Sequence, residues 1–276
     1  MPVSFFYGQK NLFSFEDYRK EVDFMKEARL LQGDCKDLFA RVKDESIDLI
    51  VTDPPYGVEF SKGFDDSIDY VKNSIEFWLK EMYRVLKPNC HCYIFIPTKE
   101  AGLWLSLIQE IFTFNNIIST KVHSTSTYQN NNFQYNSQLV VYCSKGVAKR
   151  FNEYDFFKTS EYWLKDKRNK NPKEYSYKYS AFINEEYANV KVHKANMKTR
   201  HPCAKNPELL KLFVGISSCV GDVVFDPFMG GGSTGLAAVE LDRQFVGFEK
   251  SGEYFERAKE QIANATIWRN IKVIYE

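Results

Sequence analysis

Ile47-Asp48-Leu49-Ile50-Val51-Thr52-Asp53-Pro54-Pro55-Tyr56 is a nearly unbroken apolar run that ends in a rigid polar turn. A strand apolar on both sides belongs in a sheet covered on both faces, which is the habit of parallel sheets. In open α/β sheets, ligands bind beyond the carboxyl ends of the strands. The turn at Asp53 therefore stands where chemistry is expected. Its two prolines fix φ and contribute no amide hydrogens. They leave a carboxylate, a backbone carbonyl and an aromatic ring in fixed relation. Asp53 and the Pro54 carbonyl can each accept from an exocyclic amine on a planar base, and Tyr56 can stack on that base. The plainer alternative is a proline-braced turn that caps a strand.

Working outward, further strands are expected at Ala28–Gln32, His91–Ile96, Asp222–Asp226 and Gln244–Phe248, with Ile117–Val122 and Gln138–Cys143 as an antiparallel pair. Helical spacing runs through Tyr70–Leu86, where Val71, Ile75, Trp78, Leu79, Met82, Val85 and Leu86 form the apolar face. Further helices are expected at Leu103–Phe112, Glu208–Cys219, Ser233–Leu241 and Glu253–Asn264. Asn206 is a suitable cap for the third of these five, and Pro207 suits its first position. Phe15–Glu27 has an amphipathic helical pattern. Strands alternating with helices imply an α/β fold with a mostly parallel, doubly wound sheet.

Asp226-Pro227-Phe228-Met229-Gly230-Gly231-Gly232-Ser233-Thr234-Gly235 joins a strand to a helix. Its glycines permit tight turns and close approach to a ligand. Glu249 ends the following strand, where a carboxylate can accept both hydroxyls of a ribose. The spacing Gly230-x-Gly232-x-x-Gly235 also fits a dinucleotide fingerprint, so a nicotinamide or flavin enzyme is a rival. An aspartate just upstream, with no basic residue in the loop, suits a cationic sulfonium or ammonium ligand better than a pyrophosphate.

The alternation breaks between about Ser144 and Arg200. From Lys145 to Lys205 there are 15 Lys and Arg against 7 Asp and Glu, in a chain of 37 against 36 whose net charge is +1. The basic charge is thus concentrated in one stretch, as on a surface that faces a polyanion. Eleven aromatic residues in the same stretch argue for a small inserted subdomain rather than disorder. Tyr175, Tyr177 and Tyr179 alternate as on one face of a strand. The six cysteines and four histidines lack metal-ligand spacing, so no metal is expected, and reduced thiols in a cytoplasmic protein are. No apolar run is long enough to span a bilayer and no secretory signal pattern begins the chain.

Taken together, these motifs resemble those of the β-class DNA amino-methyltransferases, in which the catalytic motif precedes the cofactor loop. The resemblance covers nearly all of residues 29–264. Gly33-Asp34-Cys35 is similar to the family's GD segment. Asp53-Pro54-Pro55-Tyr56 matches its catalytic motif, and Arg84-Val85-Leu86-Lys87-Pro88 its RVLKP helix end. His201-Pro202-Cys203-Ala204-Lys205 resembles the HPxxK segment, and Asp226-Pro227-Phe228 with Gly230 and Gly232 the cofactor loop. Asn206 stands where the family usually has proline, and Asn89 and Cys90 where it usually has glycines.

The resemblance implies a methyltransferase-type sheet with one antiparallel strand and motifs in circularly permuted order. A catalytic and cofactor-binding domain would occupy residues 29–144 and 201–276, a target-recognition region 145–200 and an N-terminal extension 1–28. It implies S-adenosylmethionine as cofactor: Asp34 and Cys35 would meet the adenine, Glu249 the ribose, and Lys205, Ser233 and Thr234 the methionine carboxylate. Asp53, Asp226, Phe228, Gly230 and Gly232 complete that cofactor set. The catalytic residues would be Asp53, Pro54, Pro55 and Tyr56, methylating adenine N6 of a flipped base in duplex DNA. Lys165, Lys167, Arg168 and Lys170 would meet phosphates, and Ser124–Asn136 would form a mobile loop over the base. A homodimer and a companion restriction endonuclease are partners the resemblance leaves open. Asp at position 53 favours adenine by resemblance. Cytosine N4 methylation, RNA methylation and a non-catalytic DNA- or cofactor-binding role compete with that assignment.

Overall fold

The structure is a computed structural model that describes residues 26–57, 67–121, 137–149, 151–152, 163–164, 178–179, 182–184, 205–267 and 269–276. Its strands are β1 (Lys26–Gln32), β2 (Ile47–Thr52), β3 (Leu86–Ile96), β4 (Thr113–Lys121), β5 (Ser137–Ser144), β6 (Trp163–Leu164), β7 (Lys178–Tyr179), β8 (Phe182–Asn184), β9 (Val223–Asp226), β10 (Gln244–Glu249) and β11 (Ile271–Tyr275). Its helices are α1 (Cys35–Leu38), α2 (Ile68–Val85), α3 (Ala101–Ile111), α4 (Pro207–Ser217), α5 (Ser233–Glu240) and α6 (Gly252–Thr266). Among the described residues, nine strands form one sheet in the order β11-β1-β10-β9-β2-β3-β5-β4-β8. β6 and β7, which carries Tyr179, form a separate antiparallel pair.

β2 sits near the middle of that sheet, parallel to β9 on one side and β3 on the other. All six of its residues are buried. Leu49 and Val51 face a core formed with α4, α5 and α6, whereas Ile47 and Ile50 face a second core formed with α1, α2 and α3. This two-sided burial is what the apolar run required. Its one charged residue, Asp48, is paired with Lys87 at 2.7 Å and accepts from the Val223 amide at 3.0 Å. A buried charge so placed bridges β3 and β9 and meets the pairing that burial demands.

β5 runs antiparallel to both β3 and β4 and lies between them. α2 buries Val71, Ile75, Trp78, Leu79, Met82 and Val85 as its spacing required, and Ser67 caps it by accepting from the Tyr70 amide. α4 is capped by Asn206, which accepts from the Glu208 amide, with Pro207 in the first turn. It ends at Ser217, two residues before the sequence pattern suggested. There Ser218 turns extended, and the Asp222 carboxylate captures the Cys219 amide at 2.7 Å.

Other boundaries also differ from the sequence expectation. β1 begins at Lys26, so Lys26 and Glu27 pair with β11 as strand instead of closing an amphipathic helix. The rest of that helix, residues 15–25, lies outside the described residues, as does the loop 124–136. Residues 145–149 and 151–152 are tied to the main sheet and to α4. The Asn89 amide donates to the Lys145 carbonyl, the Lys145 amide to Cys90, the Lys149 amide to Asn89 and the Asn152 amide to Ile216. β8, from within the expected recognition region, pairs in parallel with β4 at the edge of the main sheet. No described helix is long and apolar enough to cross a membrane.

Candidate active site

β1, β10, β9 and β2 are consecutive in the sheet and parallel. Their carboxyl ends therefore lie side by side, and each leads into one of the segments singled out from sequence. Gly33-Asp34 follows β1, Glu249 ends β10, Asp226 ends β9 and opens the glycine loop, and Asp53 follows β2. Four acidic groups distant in sequence are gathered along one edge by topology alone.

The glycine loop is a tight turn built for close approach. Gly230 and Gly232 have φ of 51° and 85°, a region that other residues enter at a cost. A Cβ on Gly232 would lie 2.9 Å from the Ala258 Cβ, so α6 leaves no room for one. Gly232 caps α5, which places Ser233 and Thr234 in its first turn, where unpaired amides favour an anion. Ser233 is half-buried. Thr234 is buried, and its hydroxyl turns inward toward the Val51 carbonyl at 3.5 Å.

Glu249 is bound into the loop. One carboxylate oxygen accepts from the Gly230 amide at 2.9 Å and the other from the Ser251 amide at 2.7 Å. Burial pushes its pKa up, and these amides hold it back in part. Asp34 caps α1 through the Lys36 amide at 3.0 Å and pairs with Lys250 at 2.9 Å. Burial pushes the Asp34 carboxyl up, but the Lys36 amide and the Lys250 ammonium outweigh it, and the net shift is downward. Tyr70 packs beside this pair, with Lys36 4.4 Å and Lys250 5.9 Å from its ring centre. Cys35 is buried, and burial pushes its thiol upward. Phe228, half-buried, stands edge-on to Trp78 at 4.9 Å.

Asp226 departs from its sequence expectation. Its side chain does not look outward to a cation. The residue is 3% exposed and turned under the loop, where it accepts from the Thr52 hydroxyl at 2.7 Å and the Phe228 amide at 3.1 Å. Burial pushes its pKa up to about 7 despite those hydrogen bonds, and the Asp53 carboxylate adds to the rise. Asp226 thus braces the loop from below and ties it to the strand that carries Asp53.

In the Asp53-Pro54-Pro55-Tyr56 turn, Pro54 is buried and the other three residues are half-buried. The Tyr56 hydroxyl donates to Asp53 Oδ1 at 2.5 Å and accepts from Gln138 Nε2 at 3.0 Å. Lys205 Nζ lies 2.5 Å from Asp53 Oδ2. The resemblance placed Lys205 at a cofactor carboxylate, and the structure pairs it with the Asp53 carboxylate. Gly57 completes the turn at φ 74°, with no space for a Cβ against Ile68.

The structure thus brings together Asp34, Cys35, Asp53 to Tyr56, Lys205, Asp226, Phe228, Gly230, Gly232, Ser233, Thr234 and Glu249. Lys165, Lys167, Arg168 and Lys170, and His201 to Ala204, lie outside the described residues. Thr52, Gln138, Lys250 and Tyr70 are partners that the sequence pattern did not single out. Thr52 and Lys250 adjoin Asp53 and Glu249, and that adjacency was the available signal. Gln138 reaches Tyr56 from a strand 82 residues away, and nothing local announces it.

A family model described as DNA methylase, of the N6/N4 type, matches residues 47–260. The type II methyltransferase M.HpaI of Haemophilus parainfluenzae is 29% identical over 263 residues, which is 85% of this chain and 74% of that protein. M.HinfI of Haemophilus influenzae is 28% identical over 254 residues, 84% of this chain and 67% of that one. Among solved structures, the M1.HpyAVI–SAM complex superposes with a TM-score of 0.60 at 24% identity, covering 85% of this chain and 98% of its own. The cytosine-N4-specific PvuII DNA methyltransferase superposes with a TM-score of 0.61 at 17% identity, covering 91% and 98%. The structural likenesses bear on the fold, and they match a mostly parallel sheet with one antiparallel strand.

Proposed function

The chain belongs to the N6/N4 DNA methylase family, and from that premise we propose that it transfers the methyl group of S-adenosylmethionine to adenine N6 in a specific sequence of duplex DNA. The observation that carries this is the placement of the Asp53 turn one strand away from the glycine loop, with Thr52 and Asp226 hydrogen-bonded between them at 2.7 Å.

The residues at the strand ends fit the cofactor. Glu249 keeps lone pairs for a ribose diol beyond the two amides it already accepts. Asp34 lies one strand further along, the first turn of α5 offers amides to a carboxylate, and no basic residue lies between Asp226 and Gly235 to pair with a phosphate. When bound, the cofactor supplies an electrophilic methyl on a sulfonium.

The chain's own residues do the rest. A base inside a duplex is out of reach of the turn, so the target adenine leaves the stack before it is bound. Tyr56 offers its ring to the base face. Asp53 and the Pro54 carbonyl accept the two N6 hydrogens and draw the nitrogen lone pair out of conjugation. Held in this way, N6 is aimed at the methyl that the sulfonium would supply, and the proton N6 would lose on transfer passes to solvent late in the step. Catalysis is then mostly positioning and electrostatics. Asp at position 53 is the feature that favours adenine over cytosine. The basic stretch 145–200 supplies phosphate and base contacts in this scheme, through Lys165, Lys167, Arg168 and Lys170 among others.

The test is methyl transfer from labelled S-adenosylmethionine to unmethylated duplex DNA, with Asp53→Ala beside the native chain. The native chain labels DNA, and the variant loses turnover while still binding S-adenosylhomocysteine. Full activity in Asp53→Ala would remove the turn from the mechanism.

A further inference from the structure

The two oxygens of Asp53 are held by partners of different kinds. Oδ1 accepts from the neutral Tyr56 hydroxyl, and Oδ2 faces the Lys205 ammonium, both at 2.5 Å. The Lys205 side chain is only 14% exposed, and its ammonium stands 5.0 Å from the Phe95 ring centre and 5.8 Å from that of Tyr56. A cation buried among rings needs its counter-charge, and removing the partner strands it. Its backbone is also anchored, because Lys205 directly precedes Asn206, the cap of α4. The bond to Tyr56 is of the exchangeable kind. One neutral donor to a carboxylate can be replaced by another with little net change, as long as no polar group is left unpaired. The amine of a base is such a donor, and the Tyr56 hydroxyl keeps Gln138 as a partner when it lets go.

We infer that Lys205 is a positioning residue for the catalytic carboxylate: it keeps Oδ2 throughout the reaction, so that Oδ1, occupied by the Tyr56 hydroxyl in the free chain, is the oxygen that receives the target amine. The inference rests on the methyl-transfer function proposed above and deepens it. Lys205 acts through Asp53, and the cofactor carboxylate is left to the first turn of α5. The tyrosine hydroxyl acts as a placeholder that keeps the carboxylate satisfied until the base arrives.

Three variants separate a role on Asp53 from a role on the cofactor. Lys205→Met keeps the stem against Phe95 and removes the charge, Lys205→Arg restores the charge, and Tyr56→Phe keeps the ring and removes the placeholder. Thermal unfolding establishes that each is folded, with Lys205→Gln as the replacement should the methionine variant not fold. Steady-state kinetics on duplex DNA and calorimetric binding of S-adenosylhomocysteine are then measured. In Lys205→Met, kcat falls about 100-fold, as for a misplaced reactive group, while S-adenosylhomocysteine affinity stays within about threefold. Lys205→Arg recovers part of kcat. Tyr56→Phe lowers KM for DNA by about fivefold, the net worth of one hydrogen bond no longer displaced.

The reverse pattern overturns the inference: Lys205→Met with kcat intact and S-adenosylhomocysteine binding weakened about tenfold or more would place the lysine on the cofactor. An unchanged or raised KM for DNA in Tyr56→Phe would overturn the placeholder role. A native chain that methylates no DNA base overturns the proposed function and this inference together, whereas an active native chain with the reversed kinetics overturns this inference alone.

Discussion

Replacing Asp226 with Asn removes one buried ionisation and leaves the shape of the loop unchanged. Thr52 and Phe228 both donate to Oδ1, and an amide oxygen there accepts from both. The new NH₂ group needs an acceptor, and the neighbouring Thr234 hydroxyl can turn to provide one. The energetic consequence follows from linkage. The folded chain holds the Asp226 proton up to about pH 7, and the unfolded chain releases it near 3.8. Over that interval the folded state binds more protons, so the contribution of Asp226 is fully present below pH 3.8 and is lost as pH rises to about 7. At roughly 1.4 kcal/mol per pH unit the loss is about 4 kcal/mol.

His91 works in the opposite sense. It is fully buried between the Ser217 hydroxyl and the Lys149 carbonyl, and burial pushes its pKa down from 6.5 to about 4. Its contribution is present above pH 6.5 and is lost as pH falls to 4, about 3 kcal/mol in all. Between pH 4 and 6.5 the two slopes nearly cancel in the native chain. Asp226→Asn unmasks the histidine: its stability climbs with pH through that window. At pH 8 it exceeds the native chain by about 2–4 kcal/mol, the lower figure allowing for an imperfectly placed amide. Urea unfolding at pH 4.5, 6 and 8, followed by tryptophan fluorescence, measures this directly. A difference between native and variant that does not change with pH would show that Asp226 does not titrate in this range.

Other substitutions carry distinct expectations. His91→Gln costs about 1–3 kcal/mol at pH 7, because the Lys149 carbonyl and Ser217 hydroxyl lose well-placed partners, and it unmasks Asp226, so that stability rises as pH falls from 6.5 to 4; a stability that stays level over that window in urea titrations would contradict this. Gly232→Ala meets both a φ of 85° and the Ala258 side chain, so it lowers stability by about 1–3 kcal/mol and weakens S-adenosylhomocysteine binding, as thermal unfolding and calorimetry would show. An unchanged melting temperature would mean that α6 yields at little cost.

Much of the fold was legible in the sequence because its decisive signals are local. The run Ile47–Thr52 is apolar on both faces, and the structure covers both. The helix through Val71, Ile75 and Trp78 buries those residues. Asn206-Pro207 starts α4 as its chemistry required. The edge strands were harder to see. β11 is short and half-exposed, and β8 is three residues long, so neither has a period to detect. Both are held by the strand beside them rather than by their own sequence.

The site divides the same way. The acidic residues at strand ends were visible, since a turn after a strand is written in consecutive letters. Their partners were not. The inward turn of Asp226 depends on Thr52, 174 residues away, and the pairing of Lys205 with Asp53 joins residues that meet only once the sheet is assembled. A carboxylate's direction is set by which neighbours satisfy it, and a linear pattern does not contain that information.

The most direct test of the central claim is the identity of the product. Unmethylated duplex DNA is incubated with the purified chain and S-adenosylmethionine, digested to nucleosides and resolved by mass spectrometry. The account predicts N6-methyldeoxyadenosine in the native reaction and none with Asp53→Ala. N4-methyldeoxycytidine as the product, or a methylated adenine that persists without Asp53, would contradict it.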